Sequence, residues 1–377
     1  MTERKQINWI TGLKGIACIG VMLMHFRGAF MMDGTTNAYQ LSKGVHFLFE
    51  KIFSVWLNGN FMVCLFCVIS GYLLSKSKIS SWWSLIVKIM TRYLRLALPL
   101  FGGCVLVYGL YCIGAFHNDT AGRLMENDWF SGFYQKLETK NILLSPFYKI
   151  VMHGEDSFGM PFWMMGSLLK GSCLSLAFVY AKRGQDDKMV RVIVCLGAVV
   201  YLLHAVKAGS YIMPAFFLGT GTGFMEDKVR EKLPNICGWI CFLLPLFMCA
   251  GLQDHLCVLV EAPEWAYASG MWRTIWSVVL FVGILCLKPV QNVLSKKICL
   301  ILGRISFEIY ILHWPLICSL SAIGFLFFYT KMNTDLLVLL LLAVTVIITI
   351  LISELFSRYY ERYCMILVKW IERKLGV

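Results

Sequence analysis

Two histidines of this 377-residue chain sit deep within apolar stretches: His25 in the run Ile10 to Phe30, and His313 in Tyr-Ile-Leu-His-Trp-Pro. An ionisable side chain in such surroundings is costly and is a candidate for chemistry by default. An imidazole fifteen residues into its run can take a proton from a hydroxyl. The competing readings for His25 are a ring satisfied by a neighbouring helix, or one at the headgroups beside Arg27. Ser306, Tyr310 and His313 are spaced by four and three and share one helix face, a candidate pocket wall.

The cations form a second set. Lys88, Arg92 and Arg95 fall at i, i+4 and i+7, one basic stripe. Guanidinium forks match phosphate oxygens, though the same stripe can simply lie on anionic lipid. Lys14 precedes His25 by eleven positions, about 16 Å along a helix, where snorkelling to the headgroups is the plain alternative. Ser70 and Gly71 put a hydroxyl beside a position without a side chain, suited to ligand contact or to close helix approach.

The elements that must position these groups follow from composition. With 58% hydrophobic and 15% charged residues the chain cannot cover itself with a polar surface, so a soluble fold is excluded and the solvent is lipid. Apolar stretches long enough to cross a bilayer lie near 9–30, 57–75, 96–116, 159–181, 189–206, 210–226, 235–252, 271–288, 298–327 and 335–356. The first contains Lys14 and His25 and is followed by no cleavage site, so it reads as a retained helix. Counting Lys and Arg on alternate sides, from Arg4 and Lys5 onward, puts 24 of 35 on the side of the N-terminus. The expectation is an all-α polytopic membrane protein of about ten transmembrane helices with both termini cytoplasmic. It forms a single membrane-embedded domain over 1–377, with 117–158 as an extracytoplasmic loop and no appended soluble domain.

The net charge of +13 is scattered in short clusters between apolar runs, which speaks for topology and against nucleic acid. Most of the fifteen cysteines lie inside apolar runs as packing residues, and no spacing suggests a metal.

Taken in order, the motifs resemble one family, the acyltransferase-3 group of integral membrane O-acyltransferases. Ile10 to Ala17, running to His25, is similar to its Leu-Asp-Gly-Leu-Arg-Gly-Ile-Ala opening. Phe66 to Leu74 resembles its Phe-Phe-Val-Ile-Ser-Gly-Tyr-Leu-Leu. Arg92 and Arg95, followed by Pro99, resemble its Arg-x-x-Arg segment, and Gly303, Ser306, Tyr310, His313 and Pro315 fall on its Gly-x-x-Ser-Tyr-x-x-Tyr-x-x-His-x-Pro signature. The terminal Ser357 to Arg362 region, with Glu361, is likewise similar.

The resemblance implies transfer of an acyl group, acetyl foremost, from cytoplasmic acyl-CoA to a hydroxyl of an extracytoplasmic glycan or lipid-linked acceptor, in the manner of bacterial plasma-membrane glycan O-acetyltransferases. It implies His25 as the catalytic base and Lys14, Arg92, Arg95 and Ser70 as donor contacts. Ser306, Tyr310, His313 and Trp163 are then pocket residues, His313 or Tyr310 donating to an oxyanion. No metal is implied, and a homodimer is left open. Three positions depart from the pattern: Lys14 replaces Arg, Thr11 replaces Asp, and Leu168 stands where the Trp-x-x-x-x-Glu element beginning at Trp163 carries its carboxylate. The enzyme reading requires a passage from the cationic end to His25 wide enough for a pantetheine arm. The alternatives are a transporter or lipid flippase using the intramembrane histidines, and a non-catalytic sensor that retains the fold.

Overall fold

The computed structural model describes residues 8–31, 41–47, 49, 54–137, 141–252 and 270–376, so Arg4 and Lys5 lie outside the described residues. Regular structure among them is entirely helical. The principal helices are α1 (Asn8–Phe30), α2 (Gly59–Ser75), α3 (Trp82–Cys112), α4 (Trp163–Arg183), α5 (Lys188–Lys207), α6 (Ile212–Phe224), α7 (Glu226–Lys232) and α8 (Asn235–Phe247). They continue with α9 (Met271–Cys286), α10 (Lys288–Leu294), α11 (Lys297–Arg304), α12 (Ser306–Leu316), α13 (Thr334–Phe356) and α14 (Arg362–Lys374). In lipid a helix satisfies every backbone polar group internally, which is why apolar runs of this length fold this way.

Among the described residues six helical segments are long and apolar enough to cross a membrane, or eight when two bent pairs each count as one: α7 with α8, bent by 111°, and α9 with α10, bent by 99°. The protein is an all-α polytopic membrane protein. The remaining two expected stretches are the shorter helices α2 and α6, 17 and 13 residues long. These two pack closely on one another, and Gly71 allows it: a Cβ there would overlap the Phe216 carbonyl of α6.

Two expected boundaries move. The basic segment 76–95 and the span expected at 96–116 form one continuous helix, α3, of 31 residues. Its start is set by Ser81, whose side chain accepts the Ser84 N–H while Ser84 Oγ accepts the Ser81 N–H. The arginine stripe is thus carried by the same rigid rod that crosses the membrane. The stretch expected at 298–327 is instead interrupted after Arg304, and α12 continues through Ile317–Ser321 to Phe328. The interruption falls where Gly303 meets α1, leaving no room for a Cβ against the Thr11 carbonyl.

Helix α1 is the centre of the assembly and packs on α2, α10, α11 and α12. Lys14 lies toward one end of it, with Arg92 of α3, and this is called the basic end below. At the other end short helices Asn118–Leu124 and Asp128–Ser131 cap α1. Asn127 Nδ2 donates to the carbonyls of Gly28 (2.8 Å) and Ala29 (3.2 Å), using acceptors that the last turn of a helix leaves open. The Trp129 ring lies against Gly28, where a Cβ would stand 3.0 Å from it.

Candidate active site

Helices α1 and α12 bring the two histidines together. His25 is 2% exposed and His313 0%, and their ring planes lie within 10° of each other. His313 Nδ1 is 2.8 Å from the Ile309 carbonyl, one turn back on α12. A carbonyl can only accept, so Nδ1 carries the proton and, in the neutral ring, His313 Nε2 is an acceptor. That atom is 2.7 Å from His25 Nδ1, which therefore donates to it. The chain Ile309 carbonyl, His313, His25 assigns the lone pair of His25 to Nε2, which makes no hydrogen bond among the described residues. A buried neutral imidazole with its lone pair free and its second nitrogen anchored is the arrangement of a positioned general base.

The other residues expected in this pocket have more local partners. Tyr310 Oη donates to the Pro161 carbonyl at 2.6 Å, tying α12 to the turn that opens α4. Its ring stands in edge contact with His313, centroids 6.0 Å apart. Ser306 Oγ donates to the Gly303 carbonyl (3.0 Å), and the Ser306 carbonyl accepts the Cys18 thiol (2.9 Å). Ser306 therefore shapes the α11–α12 break and the α1–α12 seam. Trp163 begins α4, half-buried, two residues after Pro161. The hydrogens on Tyr310 Oη and His313 Nδ1 are both engaged, so in this arrangement neither is free to meet an oxyanion.

At the basic end the stripe divides. Arg92 Nε donates to Ser172 Oγ of α4 at 3.0 Å, and that hydroxyl donates to the Leu168 carbonyl at 2.6 Å. Arg95 turns instead to Glu372 of α14 (3.0 Å), on whose carboxylate Lys88 (3.5 Å) and Thr91 Oγ1 (3.2 Å) also converge. Lys14 is half-buried, within electrostatic reach of Arg92 and Glu308. Lys14 and Arg92 face the bundle interior, whereas Arg95, within electrostatic reach of Arg92, is held by α14. Ser70 is buried next to the Gly71 crossing, one turn from Phe66.

Between this end and His25 stands a wall of apolar side chains from α1, α2, α4 and α12. One cavity within it, of about 20 Å³, is lined by Val21, Met62, Phe66, Met164, Leu168 and Tyr310, among others. That is room for about one water and not for a pantetheine arm. This cavity does not by itself supply the expected passage, because apolar side chains from four helices pack around it. Leu168 lies in this wall, so the position that departs from the resembled pattern makes the lining more apolar.

With the site described, the comparison with known proteins is decisive at the level of family. A family model described as an acyltransferase domain matches residues 7–354. The chain belongs to this acyltransferase family. Neither a curated protein nor a solved structure matches it.

As a membrane acyltransferase, the chain carries three features that sequence patterns alone passed over. Trp314, buried beside His25, has an indole nitrogen without a partner among the described residues. Glu372 reaches the stripe from 277 residues away, a distance no local spacing reports. Asn127 fastens the loop to α1, and the only local sign of it is a polar residue within an aromatic-rich stretch.

Proposed function

We propose that this acyltransferase moves an acetyl group from cytoplasmic acyl-CoA to a hydroxyl of an extracytoplasmic glycan or lipid-linked acceptor, with His25 as general base. The observation that carries the reading is the hydrogen-bonded chain from the Ile309 carbonyl through His313 to His25, which leaves a lone pair on His25 Nε2. The CoA phosphates meet Arg92 and Lys14 at the basic end, and Arg95 once Glu372 yields it. The acceptor comes from the side capped by residues 117–137.

In the reaction His25 Nε2 removes the hydroxyl proton as the oxygen bonds to the thioester carbonyl carbon. The carbonyl electron pair shifts to oxygen, then returns as the C–S bond breaks, and the sulfur takes the proton from His25. Ester and free CoA thiol result, with His25 restored. Access of the thioester requires the apolar wall to part. Its three methionines, Met62, Met164 and Met165, are suited to that, being unbranched and able to repack among rotamers.

The test is transfer of labelled acetyl from acetyl-CoA in membranes bearing wild type or His25→Ala. General-base catalysis contributes about 10²–10⁴, so a loss of at least about a hundredfold is expected. Near-normal turnover by the variant rejects the assignment.

A further inference from the structure

We propose that the indole N–H of Trp314 is the donor that holds the oxyanion formed as the acceptor oxygen adds to the thioester carbonyl. The inference rests on the acyl-transfer reading above and names a catalytic residue which that reading leaves unfilled.

An acyl transfer that passes through a tetrahedral intermediate needs a hydrogen-bond donor beside the base, in a site that excludes water. Tyr310 Oη is spent on the Pro161 carbonyl and His313 Nδ1 on the Ile309 carbonyl. Trp314 follows His313 directly, and its ring meets the His25 ring edge-on, centroids 5.7 Å apart and planes at 68°. It is wholly buried, and Nε1 has no hydrogen-bond partner among the described residues. Burying an N–H without an acceptor is costly, so an orphan donor against a catalytic base marks a place where an acceptor arrives with the substrate.

Its surroundings fit that role. Phe133 (4.9 Å), Trp129 (5.1 Å) and Phe130 (6.1 Å) from the capping segment surround the indole and exclude water from it. In such an enclosure one hydrogen bond to a developing negative charge acts with little screening. The indole keeps its proton throughout: the oxyanion only accepts from it, and the proton that moves is the one on His25 Nε2.

The rival explanation is an N–H resting on an aromatic face, for which Phe133 stands at 75°. Trp314→Phe keeps a ring and removes the donor; replacement of Trp314 by benzothienylalanine keeps the full bicyclic shape and removes only the N–H, covering the case in which the smaller ring fails to pack. Both are to be compared with wild type in kcat, in KM for acetyl-CoA and acceptor, and in thermal stability of the purified protein. Loss of one oxyanion donor is expected to lower kcat by about 10²–10³ with both KM values within about twofold, and to leave Tm in place. A kcat within about threefold of wild type for the benzothienyl variant, or a loss that follows Tm, overturns the assignment. If wild type transfers no acyl group from acetyl-CoA, the acyl-transfer reading itself has failed and this inference with it. Normal wild-type turnover beside an undiminished variant rejects Trp314 alone.

Discussion

His313 Nε2 stands 2.7 Å from His25 Nδ1 while the opposite nitrogen of His313 is held 2.8 Å from the carbonyl of Ile309. The second histidine therefore orients the first. It sets which nitrogen of His25 bears the proton and keeps the ring from turning, using a backbone acceptor that α12 supplies one turn away. This is the logic of an orienting group behind a base, built here from an imidazole and a peptide carbonyl instead of a carboxylate.

Replacement of His313 by Ala is accordingly expected to lower kcat by about 10²-fold or more, with the KM for acyl-CoA little changed. His313→Gln should recover part of that loss, because its amide oxygen can accept the His25 Nδ1–H. A fall in donor affinity with unchanged kcat would place His313 in the donor pocket instead.

Glu372 collects Lys88, Thr91 and Arg95 on one carboxylate, at the place where donor phosphates are proposed to bind. Exposed or half-exposed ion pairs are worth about 0.2–1 kcal/mol, so Glu372→Gln is expected to lower the KM for acyl-CoA by about two- to fivefold and to leave kcat alone. An increase in KM would mean that the carboxylate holds the cations in their productive positions.

Met164 is 2% exposed and helps to close the cavity below His25. Met164→Ala should cost about 2–5 kcal/mol of stability by leaving a void, yet raise kcat/KM for acyl-CoA because the small cavity beside it is enlarged. Met164→Ile, stiff at its branched carbon, should lower kcat/KM by about three- to tenfold. Parallel losses of stability and turnover in the Ala variant would contradict a route along this wall.

Asn127 joins the capping segment to the end of α1 through the carbonyls of Gly28 and Ala29. Its truncation to Ala removes these two hydrogen bonds and the one its Oδ1 accepts from the Phe130 N–H, and should cost about 1–3 kcal/mol, read as a lower Tm of the purified protein. If the segment covers the acceptor side, the KM for acceptor rises in the same variant while that for acyl-CoA does not.

Much of the molecule was legible before any coordinates. The helical membrane class followed from the length of the apolar runs, since a run of about 20 apolar residues crosses lipid as a helix with its backbone groups satisfied internally. Helix is found on each expected stretch, and six to eight segments among the described residues are long and apolar enough to cross. His25 and His313 stood out because an imidazole is rare in such runs. The fusion of segment 76–95 with the next span was hidden because Ser81 and Ser84, a weak signal in sequence, start the helix there while the basic residues suggested a break.

The sequence by itself determined what is local: the length of the apolar runs and the residues able to hold or move a proton. Tertiary structure alone decided which atoms meet. Residues 25 and 313 are 288 positions apart, and only the packing of α1 on α12 turns two separate histidines into an oriented pair. Packing likewise sent Arg92 to Ser172 and Arg95 to Glu372, although both stand on one stripe of α3. It also built the apolar wall below His25, where side chains from four helices meet around a small cavity. Helical spacing fixes a direction from one axis, whereas a hydrogen bond or a cavity depends on where several axes cross.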